Sequence, residues 1–218
     1  MSESRWDRDP ALPIRRQIVE LRDSLIREIA HEGMNNPDII PLWFGEPDLP
    51  TPDFIIAASD AALRSGHTFY TPNLGIPELR ETLSTYMSGL YKRDIDLERV
   101  VVTAAAMNGM MMTAEALIDP GDNMVAVTPV WPNFLRCVEI MDGQIYMVPL
   151  TPEPSGWQLD LDHLFDACDA QTRAIYINSP NNPTGWVMEQ KQQQQVIDFC
   201  RQRGLWIVSD EVYARIIY

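Results

Sequence analysis

A few residues have types and spacing that suit ligand chemistry. Asn182 lies in the turn SPNNPTG, Asp210 and Tyr213 lie in SDEVY, and Trp131 lies in TPVWPNF. Ala105, Ala106 and Met107 lie in the segment AAAMNG. Each group follows a short apolar run, so all four stand where a strand would end. A helix start, a tryptophan, an asparagine turn and an acid with a tyrosine together suit a flat, anionic, aromatic ligand. Each feature alone has a plainer reading. Asn-Pro-x-Gly is good turn chemistry anywhere, Asp210 could cap a strand, and Trp131 could be core, as Trp6, Trp43, Trp157, Trp186 and Trp206 are expected to be.

The elements that must position these residues are legible from periodicity. Val100–Thr103, 124–128, 145–150, 173–178 and 205–210 are short apolar runs. Helical stretches are expected between them, at 106–117, 131–141, 160–168 and 189–203. Alternation of strand and helix predicts an α/β sheet with mainly parallel strands. Apolar runs without polar alternation predict strands buried on both faces. In such sheets ligands bind beyond the carboxyl ends of the strands. Upstream, Ile14, Ile18, Leu21, Leu25 and Ile29 recur at helical spacing and predict one helix over 13–32. Thr51-Pro52-Asp53 reads as an N-cap, a first-turn proline and an acidic first turn, and Pro77 opens a further helix.

Bulk composition excludes several classes. The 218 residues are 45% hydrophobic and 22% charged, ordinary for a globular protein. A net charge of −14 argues against nucleic acid or an anionic membrane as partner. Cys137, Cys168 and Cys200 are widely spaced, show no CxxC or Cys/His pattern, and read as reduced thiols in a cytoplasmic protein rather than a disulfide or metal framework. MSESRWDRDP has no apolar core of a signal peptide, and no run approaches a membrane span. His31, His67 and His163 show no mutual spacing. No Gly-x-Gly occurs, so the dinucleotide fingerprint is absent.

NNPTG followed by SDEVY resembles the class I/II aminotransferases, pyridoxal-phosphate enzymes of fold type I. FGEPDLPTP, YTPNLGIPELR, TAAAMNG and DPGDNMVAVTPVWPN resemble further family segments in the same order, so the resemblance spans nearly the whole chain. It implies a PLP-binding large domain at 49–218 and a segment 1–48 that contributes to a small domain. By this resemblance Asp210 faces the pyridine nitrogen and Asn182 and Tyr213 face the phenolate oxygen. Trp131 stacks on the ring, while Ala105, Ala106 and Met107 bind the phosphate through backbone amides at a helix N-terminus. Tyr70 would reach the phosphate of a partner subunit, implying a homodimer. Gly45 would contact the substrate carboxylate, with Trp131 and Asn182 also lining the substrate side. Where the family commonly has glycine or hydroxyl residues in its phosphate turn, this chain has Ala105-Ala106-Met107, which keeps the backbone donors and loses side-chain ones.

The implied reaction is transfer of an amino group between an α-amino acid and a 2-oxo acid. A C–S β-lyase, a cyclopropane-forming synthase and a non-catalytic protein of the same fold are the alternatives. The family's Schiff-base lysine lies beyond the acid–tyrosine motif, with a substrate-binding arginine further on. Lys92 and Lys191 stand elsewhere, so no catalytic residue is assigned. The expectation is an N-terminal portion of such an enzyme, inactive by itself, with Val100–Thr103 short of strand neighbours and the polypeptide aggregation-prone.

Overall fold

The computed structural model describes residues 14–21 and 24–217. Its elements in chain order are α1 (Arg16–Val19), α2 (Leu25–Gly33), α3 (Asp53–Arg64), α4 (Pro77–Tyr91), a 3-10 turn (Leu97–Arg99), α5 (Ala106–Leu117), β1 (Asn123–Thr128), α6 (Asn133–Ile140), β2 (Gln144–Pro149), β3 (Thr151–Glu153), β4 (Gly156–Gln158), α7 (Leu161–Asp166), β5 (Thr172–Asn178), α8 (Gln190–Arg203) and β6 (Trp206–Asp210). Two compact units form: Met1–Leu21 with Ala105–Tyr218, and Arg22–Ala104.

In the Arg22–Ala104 unit, α3 begins at Asp53 with Pro52 in the cap position, one residue later than the expected Thr51 cap. α4 begins with Pro77 and ends on Lys92 in the left-handed region, φ 51°. The strand expected at 100–103 is extended chain without a ladder. Val102 N–H donates to Leu74 O at 3.0 Å. The Arg80 guanidinium donates to Val100 O at 2.8 Å and to Leu97 O at 2.6 Å. Gly75 is required here: its φ is +103°, and a Cβ would lie 2.7 Å from the Val102 side chain. The segment pairs with no strand among the described residues, so its β-propensity gives extended backbone and not a sheet.

The single helix expected over 13–32 is also corrected. The described residues form α1 and α2 as separate helices, with residues 22–23 outside the description. Ile14, Ile18, Leu25 and Ile29 are exposed. A helical stripe left exposed among the described residues gains little beyond propensity, which does not sustain a long helix alone.

The second unit is built on a four-stranded sheet of order β2-β1-β5-β6, parallel throughout. The expected α/β class with helices flanking a parallel sheet is found. Met124, Ala126, Ala174 and Tyr176 point to one face, where Ala114 and Ile118 meet Phe134, Leu135, Cys137 and Val138 of α6. Val125, Val127, Ile175 and Ile177 point to the other, against Leu164, Val196 and Cys200 of α7 and α8. Successive residues alternate faces, so both faces are apolar and the runs show no polar alternation. Trp186 is buried in the second cluster and Trp157 packs at its margin. Trp206 departs from its expected core role: it is 64% exposed on β6, which pairs, among the described residues, with β5 alone. Trp43 is partly buried, and Trp6 lies outside the described residues.

Helix ends follow local chemistry. Asp160 accepts from His163 N–H at 3.0 Å to open α7. Glu189 and Gln192 form a reciprocal capping box at α8, which ends on Gly204 at φ 68°. At the amino ends of the strands, Asn123 donates to Asp169 at 2.7 Å, and the Thr172 hydroxyl donates to Asn123 Oδ1 at 2.7 Å. Beside them, buried Asp122 pairs with Arg173 at 2.7 Å and accepts from Asp119 N–H at 2.9 Å. The Arg173 hydrogen bond, then the Asp119 amide, hold the Asp122 carboxyl below its ordinary value of 3.8.

A folded pKa below the unfolded one contributes stability that is present above the unfolded value and lost as pH falls through the folded value. Thermal melts of wild type and Asp122→Asn between about pH 6 and about pH 3 check this, since the unfolded carboxyl titrates near ~3.9. The variant is expected to lose less of its melting temperature over that window. Parallel curves would show that the pair contributes no acid sensitivity.

Candidate functional site

β1 is followed in the sheet by β2 on one side and, after the crossover, by β5 on the other. The chain therefore reverses its order between β1 and β5, the position at whose carboxyl ends ligands bind in sheets of this kind. Two expected groups stand there: Thr128–Trp131 after β1 and Asn178–Gly185 after β5. The Asn181 side chain spans them by donating to Pro129 O at 3.2 Å. Asn181 Oδ1 also accepts from the Thr184 N–H at 3.0 Å and its hydroxyl at 2.7 Å, which rigidifies the turn. Thr128-Pro129, Ser179-Pro180 and Asn182-Pro183 are cis.

The asparagine turn is fastened to the end of β6 by a residue absent from the sequence-based site. Buried Asn178 accepts from Asn182 N–H at 2.7 Å and donates to Asp210 O at 3.0 Å. The register pairs Asn178 directly with Asp210. With both ends of its amide used, Asn178 fixes Asn182 relative to Asp210. Asn182 in turn donates to the Tyr213 hydroxyl at 3.1 Å. Three expected site residues, Asn182, Asp210 and Tyr213, are thus tied into one network. The signal for Asn178 was its place as the last residue of an apolar strand, where a buried amide needs partners.

Asp210 has both carboxylate oxygens engaged. Oδ1 accepts from Val212 N–H at 3.2 Å, and Oδ2 accepts from the Tyr176 hydroxyl at 3.2 Å. Tyr176 is 1% exposed, and its ring meets Phe134 at 4.8 Å between centroids. Burial, then the neighbouring Asp210 charge, push its phenol well above the ordinary range. Its proton therefore stays in place as a donor. Tyr176 was also missed from sequence; a phenol inside an otherwise aliphatic strand was the available sign.

Trp131 is partly buried in the loop between β1 and α6. Ala105 is the cap residue of α5, and Ala106 and Met107 are its first two helical positions. Amides in a first turn have no carbonyl four residues back within the helix, which makes a helix N-terminus a suitable place for an anion. Tyr70 and Gly45 belong to the Arg22–Ala104 unit; both are exposed. Lys92 caps α4, and Lys191 is an exposed residue in the first turn of α8.

The donor set fits pyridoxal phosphate chemically. A carboxylate held by two donors suits a protonated ring nitrogen, an amide and a hydroxyl suit an oxyanion, and the N-terminus of the twelve-residue α5 suits a phosphate. No cluster of His, Cys, Asp and Glu with metal-binding geometry is present among the described residues.

Comparison with known proteins agrees with this geometry. The family model for aminotransferase class I and II matches residues 37–218. The chain is 39% identical over 192 residues to a probable aspartate/prephenate aminotransferase of Aquifex aeolicus, covering 88% of this chain and 48% of that protein. It is 34% identical to the aspartate aminotransferase of Pyrococcus horikoshii, covering 94% and 52%. Among solved structures, aspartate aminotransferase from Thermotoga maritima matches with a TM-score of 0.87 and 32% identity, covering 94% of this chain and 56% of the other. A Thermus thermophilus aspartate aminotransferase double mutant matches with a TM-score of 0.87 and 28% identity, covering 94% and 55%. The chain spans about half the length of the curated relatives it matches. With the asparagine turn locked to the acid and tyrosine at the ends of β5 and β6, and with that family match over 37–218, the chain belongs to the class I and II aminotransferases.

Proposed function

We propose that the protein carrying this chain transfers an amino group between an α-amino acid and a 2-oxo acid, with pyridoxal phosphate as cofactor. The observation that carries this reading is the Asn182–Tyr213 hydrogen bond beside Asp210, in a chain of this family. Pyridoxal phosphate supplies an electron sink for negative charge developing at the substrate Cα. The chain's residues hold and tune it. Asp210 pairs with the ring nitrogen and keeps it protonated. Because Asn182 donates to the Tyr213 oxygen, the Tyr213 proton remains free to be given to the ring oxyanion. Trp131 covers the ring face, and the Ala105, Ala106 and Met107 amides receive the phosphate.

Gly45 contacts the substrate carboxylate, and Tyr70 reaches the phosphate held by a second subunit of a homodimer. These roles rest on the family and on residue type. The segment 1–48 joins a small domain and 49–218 the cofactor-binding domain. The protein works in the cytoplasm; no described helix is long and apolar enough to cross a membrane. Aspartate is the first amino donor to test, because relatives are named for it.

Product analysis on the protein that carries this chain tests the reading. Aspartate and a 2-oxo acid should give a new amino acid and a new 2-oxo acid in equal amounts. Pyruvate and ammonia from a cysteine-type substrate, without amino-group exchange, would assign a β-lyase instead.

A further inference from the structure

Tyr176 is a buried polar group that the cofactor roles above do not use. It sits on β5 opposite Val208, two register steps short of the Asn178–Asp210 pair. From there its hydroxyl reaches diagonally along β6 to Asp210 Oδ2 at 3.2 Å. Its ring cannot swing away easily, being buried among the residues that pack α5 and α6 on the sheet, against Phe134. The carboxylate it holds is fixed from the opposite side by Val212 N–H on Oδ1. One oxygen is therefore set by the local turn and the other by a residue on a different strand.

We propose that Tyr176 is a positioning residue: its hydroxyl fixes the orientation of the Asp210 carboxylate, so that the carboxylate meets the cofactor's ring nitrogen in a preset direction. This rests on the reading of Asp210 given above. The chemistry is that of a charge-assisted hydrogen bond, which narrows the rotamer choice of the anion. The groups facing the hydroxyl are the Asp210 carboxylate on β6 and the Cys137 thiol on α6. Burial pushes that thiol upward, so it stays neutral beside the phenol. Asp210 is thus the charged group that the Tyr176 proton serves.

The test is a double-mutant cycle on the protein that carries this chain, using Tyr176→Phe, Asp210→Asn and the pair. The readouts are the dissociation constant of added pyridoxal phosphate, by equilibrium dialysis, and the visible absorption of the bound cofactor. Tyr176→Phe keeps the ring on Phe134 and removes only the hydroxyl. It is expected to weaken cofactor binding about tenfold, the size of one hydrogen bond to a charged group, and to alter the cofactor band. In the Asp210→Asn background the same change should add little, because the group it acts through is gone.

If Tyr176→Phe binds like wild type while Asp210→Asn does not, the inference is overturned. An equal loss from Tyr176→Phe in both backgrounds overturns it too, since the hydroxyl would then act elsewhere. A Tyr176→Phe protein that fails to fold also overturns it, by making the hydroxyl a structural element. An Asp210→Asn protein that binds cofactor normally sinks the reading of Asp210 itself.

Discussion

Replacing Asp210 by Asn is expected to cost the protein most of its hold on pyridoxal phosphate while leaving the fold in place. The side chain keeps its shape and its backbone setting at the end of β6, opposite Asn178. What changes is charge. A carboxylate receiving hydrogen bonds from Val212 N–H and the Tyr176 hydroxyl becomes an amide, which keeps only one acceptor oxygen for those two donors. Its NH2 also has no charge to offer a protonated ring nitrogen. Breaking one partner of a desolvated ion pair costs about 3 kcal/mol or more, roughly a hundredfold or more in affinity. Cofactor titration should show that loss, and amino-group exchange should fall at least as far, because an unprotonated ring is a poorer electron sink. Glu211→Gln, at the exposed neighbouring position, should bind cofactor as wild type does. A hundredfold loss at both positions would point to general electrostatics in place of a specific contact.

The second large effect is on stability. Phe134 is completely buried at the start of α6, among Ala114, Leu135, Val138, Met124 and Tyr176. Truncating such a ring to alanine removes its transfer free energy and leaves a cavity, together about 3–5 kcal/mol. The lost contact with the Tyr176 ring is included in that range. For a unit of about 150–250 residues that unfolds together, the melting temperature should fall by roughly 6–20 °C. Phe134→Leu, which retains most of the apolar volume, should cost distinctly less. Urea unfolding of the three proteins separates these outcomes. An alanine variant within about 1 kcal/mol of wild type would mean that this face of the sheet repacks freely, against the usual density of protein interiors. The loosened Tyr176 should also weaken cofactor binding, linking core packing to the site.

Much of the second unit was legible from periodicity alone. The apolar runs around 124–128, 145–150, 173–178 and 205–210 became β1, β2, β5 and β6, and the stretch 106–117 became α5. β1 and β5 are buried on both faces and carry that signature, since residues there are apolar whichever way they point, whereas β2 and β6, at the ends of the four-stranded order, are largely exposed or partly buried, against the expectation. The family motifs added the identity of Asn182, Asp210 and Tyr213 as a group. The first unit was less legible. Val100–Thr103 has strand-forming residues, but a strand exists only where a neighbour accepts its hydrogen bonds. Ile14, Ile18, Leu25 and Ile29 have helical spacing, but spacing does not supply the surface that holds a long helix together.

The sequence by itself determined the class of the sheet, the turn that carries Asn182 and the chemistry of the acid and tyrosine. These depend on residues close in the chain: apolar runs, capping residues, and prolines that fix a turn. The tertiary structure decided which of those residues touch. Asn178 reaches Asp210 across a gap of 32 residues, Tyr176 reaches it across 34, and Asn181 reaches Pro129 across 52. Strand order and register set those contacts. They follow from how both faces of the sheet are covered at once, a property of the whole packed layer and not of any segment in it.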